Sequence, residues 1–107
     1  MDTLTVAALQ LHLNLEAEAD NIAAVSALVE QAAGQGAKIV LPPELFSGGY
    51  FCREEDDGFW ALARPAAEHP SVVAMQKLAK ALKVAIPTSF FEKDGQHYYN
   101  TLAMVGE

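Results

Sequence analysis

The stretch AKIVLPPELF, residues 37–46, decides the fold. Its first half, Ala37 to Leu41, is short, apolar and β-branched, which predicts a buried strand. Pro42 and Pro43 end that strand, because proline has no N–H to donate to a sheet. A single carboxylate, Glu44, therefore follows directly after a buried strand.

The residues before this stretch predict a second strand and a helix. Leu4 to Leu11 is short and partly β-branched and predicts a buried strand, and Asp20 or Asn21 is a candidate N-cap. Apolar residues then recur on one helical face, at Ile22, Val25, Val29 and Ala32. Gly34 and Gly36 are expected to end the helix. Strand, helix and strand within about forty residues form a βαβ unit, which predicts a parallel sheet.

The second half of the chain continues the alternation. His69-Pro70-Ser71 predicts the start of a second helix, and Val84 to Glu92 and His97 to Val105 predict two further strands. Lys93-Asp94-Gly95 predicts the hairpin turn between them. The resulting order, β-α-β-α-β-β, is an α/β layered architecture with an open sheet edge, which could pair with another chain.

Composition excludes several classes of function. The 107 residues predict one domain, and 51% apolar residues predict a packed core. Seven basic against fourteen acidic residues give a net charge of −7, so no nucleic-acid partner is expected. The acidic balance mildly favours a cationic small molecule. The single cysteine, the absence of a basic leader and the lack of a 20-residue apolar run predict a cytoplasmic protein without a membrane partner.

Two residues invite a catalytic interpretation. Glu44 is flanked by Leu45 and Phe46, and a carboxylate in apolar surroundings has a raised pKa, which suits a general base. A solvated loop acid is the alternative, and the residues alone leave the two about even. Cys52 could be a nucleophile, but four acids follow it at positions 54–57, so a packed structural cysteine is favoured. The three histidines have no metal-ligand spacing, and no metal or cofactor is expected.

Longer blocks of sequence resemble a known family. LPPELF after a strand that opens TVAALQ resembles the nitrilase superfamily of carbon–nitrogen hydrolases. GGYFCREED, HPSVVAMQKLAKALKVAIPTSFFE and HYYNTLAMV are similar to the N-carbamoylputrescine amidases of that superfamily. The resemblance runs over all 107 residues.

The resemblance implies a fold and a chemistry. The fold would be the N-terminal part of a four-layer αββα sandwich, and residues 1–107 would be an incomplete domain of a homo-oligomeric enzyme. The reaction would be hydrolysis of N-carbamoylputrescine, a small carbamoyl amine, to putrescine, CO2 and NH3 by a cofactor-free Glu-Lys-Cys triad. Carbamoyl-amino-acid amidases and ω-amidases of the same superfamily are the alternatives, as is a non-catalytic fragment that binds a partner through its sheet edge.

The resemblance places one triad member in this chain. Glu44 matches the general base, whereas the family's lysine and nucleophilic cysteine lie beyond the matched region, so the chain alone is expected to be inactive. Tyr50 and Phe51 are candidate substrate-pocket residues, with core packing as an equal alternative. Asn100 is expected to satisfy buried backbone groups. Neither Lys93 nor Cys52 matches a triad position.

Overall fold

The computed structural model describes residues 3–12, 18–44, 46 and 63–106. Tyr50, Phe51 and Cys52 lie outside the described residues, so the structure does not test the interpretations placed on them. The elements follow the predicted order: β1 (Val6–Ala8), α1 (Glu18–Gly34), β2 (Ile39–Leu41), α2 (Pro70–Leu82), β3 (Ile86–Asp94) and β4 (His97–Val105). No helix in the described ranges is long and apolar enough to cross a membrane.

Strand β2 joins two strand pairs into one sheet. On one side it runs parallel to β1, with Val6 opposite Ile39 and Ala8 opposite Leu41. On the other side it bonds to the residue just before β3: the Val40 N–H donates to the Ala85 carbonyl at 2.9 Å, and the Ala85 N–H donates to the Lys38 carbonyl at 2.9 Å. Antiparallel pairing of β3 with β4 then gives the spatial order β1-β2-β3-β4.

The core lies between one face of this sheet and the two helices. Alternation along β2, β3 and β4 points every second side chain inward. Val25 and Val29 of α1 and Met75 and Ala79 of α2 are completely buried against them. The buried cluster is Val25, Val29, Ala37, Val40, Phe46, Met75, Ala79, Val84, Ile86 and Val105. The helical stripe predicted for α1 is therefore a core face, as its spacing indicates.

Several boundaries differ from the sequence-based prediction. Strand β1 is Val6–Ala8, shorter than predicted, and it is not buried, since Val6 is 62% exposed on the sheet face away from the helices. Strands β2 and β3 each begin two residues later than predicted.

Helix α1 already includes Glu18, and Asn21, a candidate N-cap, is instead a buried residue inside the helix. Strand β3 continues through Lys93 to Asp94, so Lys93 lies in the strand and not in the turn. The turn is Gly95-Gln96, between the paired residues Asp94 and His97. Gly95 takes a positive φ of 62° at the first loop position, which is typical of a type II′ hairpin and favours glycine there.

Helix α2 begins at a buried histidine. His69 is the N-cap, and its Nδ1 accepts the Ser71 backbone N–H at 3.2 Å and lies 2.7 Å from the Ser71 hydroxyl. Because Nδ1 accepts the backbone N–H, the hydroxyl also donates to it. The ring lies against Phe90 of β3, with centroids 5.3 Å apart. His69 therefore links the start of α2 to the sheet, and only its neutral form leaves Nδ1 able to accept these hydrogen bonds.

An ion pair ties α1 to the segment that leads into α2. The Arg64 guanidinium lies 2.8 Å from the Glu18 carboxylate. The Arg64 backbone is also bonded to β3, donating to the Phe91 carbonyl and accepting from the Lys93 N–H.

Burial lowers the pKa of His69 from 6.5 to about 4, while Glu18 raises it and Arg64 lowers it by smaller amounts.

Because His69 is buried, we expect the free energy of unfolding to fall as the pH becomes acidic. Because the folded pKa lies below the unfolded value, the unfolded chain binds more protons between pH 6.5 and about 4. The His69 contribution is thus fully present above pH 6.5 and is lost as the pH falls toward 4. One extra proton gives a slope of at most about 1.4 kcal/mol per pH unit.

The measurement is the free energy of unfolding by urea between about pH 7.5 and 5. His69→Gln should be less stable at pH 7.5, through loss of the packed ring, and should show a shallower pH slope. His12→Gln is the matched control, since His12 is an exposed histidine. An unchanged slope in His69→Gln would contradict this account of α2.

Candidate active site

Glu44 is held between two buried anchors just beyond β2. Pro42, two residues before it, is buried, and Phe46, two residues after it, is completely buried in the core. Full burial of a phenylalanine side chain stabilises by roughly 1.5–3 kcal/mol, so Phe46 fixes the backbone of this turn. The sequence therefore folds locally so that an apolar residue on each side goes inward while Glu44 stays exposed.

A pocket of about 350 Å³ opens beside Glu44. Its walls come from the end of β2 and from the middle of the β3–β4 hairpin, because β3 continues past the point where β2 stops. The lining residues are Leu41, Pro42, Glu44, Pro87, Ser89 and Leu102. Apart from Glu44 and Ser89, these side chains are apolar. The position at the carboxyl end of a parallel strand is the one where open α/β sheets bind ligands.

The expectation of an enclosed carboxylate is met only in part. The pocket walls are apolar, but Glu44 itself is exposed, and Phe46 packs into the core instead of around the carboxylate. Glu44 therefore lines a pocket, but its side chain remains exposed to solvent. In the described residues the pocket offers one carboxylate and one hydroxyl, and no lining cation.

The structure also describes part of two other residues that the sequence analysis considered, Asn100 and Lys93. For Asn100 the structure describes the backbone, which pairs with Phe91. Lys93 belongs to β3 and is absent from the pocket lining. Within the described ranges no three His, Cys, Asp or Glu side chains cluster as metal ligands do.

Three pocket residues were not identified from the sequence. Pro87 and Ser89 lie on one face of β3, and Leu102 lies opposite Ser89 on β4. The period-two spacing of residues 87 and 89 was a usable signal, since alternate residues share a face. What the spacing could not give was that β3 lies next to β2, which brings this face to Glu44.

Comparisons with known proteins agree with this architecture. The carbon–nitrogen hydrolase family matches residues 5–107. A carbon–nitrogen hydrolase from Helicobacter pylori G27 superposes with a TM-score of 0.82 at 24% identity, over 96% of this chain and 35% of that protein. At that identity the superposition shows the fold alone, and the described α/β layers match about a third of that structure.

Curated relatives show closer similarity in sequence. N-carbamoylputrescine amidase from Arabidopsis thaliana is 46% identical over 85 residues, which is 79% of this chain and 28% of that protein. Citrullinase from Francisella tularensis subsp. tularensis is 41% identical over 105 residues, 98% of this chain and 36% of that protein. The chain spans about a third of the length of these relatives. From the family match over nearly its whole length, we conclude that this chain belongs to the carbon–nitrogen hydrolase family.

Proposed function

We propose that this chain contributes the general base, Glu44, to an amidase that hydrolyses the carbamoyl C–N bond of N-carbamoylputrescine. The observation that carries the proposal is the position of Glu44. It lines a pocket at the carboxyl end of β2, in a chain 46% identical to a plant N-carbamoylputrescine amidase. The products would be putrescine, CO2 and NH3, the latter two from breakdown of the released carbamate.

The role of Glu44 follows from what a carboxylate can do beside a thiol. As general base it takes the thiol proton, and the thiolate attacks the carbamoyl carbon. As the tetrahedral intermediate collapses, the protonated Glu44 returns that proton to the departing amine. The Glu44 carboxylate then takes a proton from the water that hydrolyses the acyl-enzyme, and this proton returns to the departing thiolate. The thiol and a lysine that stabilises the oxyanion would come from outside residues 1–107.

The open pocket is consistent with a site that is completed by other residues. Glu44 is exposed, and the lining residues that the structure describes supply no positive charge to meet a developing oxyanion. Tyr50 and Phe51 remain candidates for further lining of the substrate pocket.

A second candidate substrate is citrulline. The citrullinase match covers 98% of this chain at 41% identity, slightly below the identity to the plant amidase. Both substrates carry the same terminal ureido group, and they differ at the other end, which is an amine in one and an amino acid in the other. The net charge of −7 favours the more cationic of the two, N-carbamoylputrescine.

The proposal predicts that the 107-residue chain alone does not turn over substrate. Purified chain incubated with N-carbamoylputrescine should release no ammonia above the level without protein, because Glu44 is the only residue in it that matches the family's catalytic triad. Measurable turnover would contradict this, and a parallel Cys52→Ala sample would show its origin. Turnover lost with Cys52→Ala would make Cys52 the nucleophile, and turnover retained would point to a different site.

A pair of chimeras tests the substrate. Residues 1–107 replace the matching region in the Arabidopsis amidase and, separately, in the Francisella citrullinase. We expect the amidase chimera to retain at least tenfold more of its scaffold's kcat/KM than the citrullinase chimera retains, because the net charge of −7 in this chain favours the more cationic substrate. Better retention in the citrullinase chimera would favour citrulline.

A further inference from the structure

Ser89 is the second polar side chain of the pocket that holds Glu44. Its neighbours on β3, Thr88 and Phe90, are 0% and 1% exposed, so alternation turns the Ser89 side chain to the opposite face of the sheet, where the pocket opens. The remaining described lining residues are apolar: Leu41, Pro42, Pro87 and Leu102. Among the lining residues that the structure describes, Ser89 therefore carries the one side-chain hydrogen-bond donor.

Strand register places Ser89 beside the point where Glu44 leaves the sheet. Ile39 of β2 forms a parallel bridge with Ala85. Four residues further along each chain lie Pro43, directly before Glu44, and Ser89. Because neighbouring strands lie about 4.8 Å apart, a glutamate side chain can span the distance between them. The count agrees with the pocket of about 350 Å³, which both Glu44 and Ser89 line.

The two side chains differ in how firmly the fold holds them. Ser89 lies in the middle of the nine-residue β3, paired with Leu102 of β4, and a single rotatable bond sets the position of its oxygen. Phe46 fixes the backbone around Glu44, but the exposed Glu44 side chain has more rotatable bonds and loses more conformational freedom when it is held in one position. Ser89 is thus a rigid donor beside a flexible acceptor.

A general base has a geometric requirement that a flexible carboxylate does not meet by itself. Its acceptor oxygen must lie within about 2.6–3.2 Å of the atom whose proton it takes, and a third group usually orients the base. An ionised carboxylate has two accepting oxygens, so one can accept from a hydroxyl while the other faces the thiol. Residues that complete the site would displace water from the carboxylate, and a protein donor would then have to replace that water.

We propose that Ser89 is a positioning residue, whose hydroxyl donates to one carboxylate oxygen of Glu44 and thereby holds the other oxygen toward the nucleophile. This inference rests on the proposed role of Glu44 as general base. Ser89 takes no part in the proton transfers and makes no required contact with the substrate. Its effect on the rate therefore passes through Glu44.

Paired substitutions in the chimera with the Arabidopsis amidase test the proposal. Ser89→Ala should lower kcat at least fivefold, because a misplaced base loses part of the roughly 100-fold that general-base catalysis contributes. KM should stay within about threefold, since the substrate contacts remain. In the Glu44→Gln background, Ser89→Ala should lower the residual kcat by less than about twofold, because the group that it orients is already gone.

A second readout and a second pair of variants support the same test. Where the Glu44→Gln background is too slow to assay, the rate at which iodoacetamide alkylates the scaffold's nucleophilic cysteine reports the same coupling. Ser89→Thr and Ser89→Val have nearly equal shapes and differ in the hydroxyl. The threonine variant should retain kcat within about threefold of the parent, whereas the valine variant should lose as much as Ser89→Ala.

Ser26→Ala is the matched control, because it removes the same hydroxyl from α1, where that hydroxyl donates to the Ile22 carbonyl at 2.7 Å. It should leave kcat unchanged. A fall in kcat smaller than fivefold with Ser89→Ala, or equal falls in the Glu44 and Glu44→Gln backgrounds, would overturn the proposal. If Glu44→Gln itself left the chimera active, the proposed function would fail instead; a large loss with Glu44→Gln beside a neutral Ser89→Ala would refute this inference alone.

Discussion

The pair of hydrogen bonds between β2 and Ala85 is the constraint on which the rest of the structure depends. Val40 and Lys38 bond Ala85 on one side of β2, while β1 pairs on the other. Without this link, the βαβ unit and the β3–β4 hairpin would be separate pieces, each too small to bury a core. With it, both helices cover one continuous face, and the hairpin forms a wall beside Glu44.

The same link explains why Glu44 lies beside the β3–β4 hairpin. Because β2 ends at Leu41 and β3 continues to Asp94, the described residues after β2 leave the sheet beside a long hairpin. Pro42 and Phe46 fix the turn from inside, so Glu44 is displayed outward above an apolar pocket. The exposed side chains of Leu41 and Leu102 and the proposed base Glu44 are therefore parts of one surface, and whatever covers that surface also changes the solvation of Glu44.

Much of this arrangement could be predicted from the sequence, and the misses have physical causes. The apolar run of residues 37–41 with its terminal prolines located β2, and His69-Pro70-Ser71 located the start of α2. The family resemblance is confirmed by the match over residues 5–107. Side-chain period identifies which residues share a strand face, but it contains no information about which strands are neighbours. Pro87, Ser89 and Leu102 were missed for that reason. The exposure of Glu44 could not be predicted from the sequence either, because it depends on whether the Phe46 side chain packs into the core.

The central claim is that Glu44 acts as a general base, and one substitution tests it most directly. In the chimera that carries residues 1–107 within the Arabidopsis amidase, Glu44→Gln keeps the size of the side chain and removes its basicity. The account predicts a fall in kcat of at least about 100-fold, in line with the usual contribution of a general base. Glu30→Gln, on the exposed side of α1, should be neutral. Activity of the Glu44→Gln chimera within about tenfold of its parent would contradict the account.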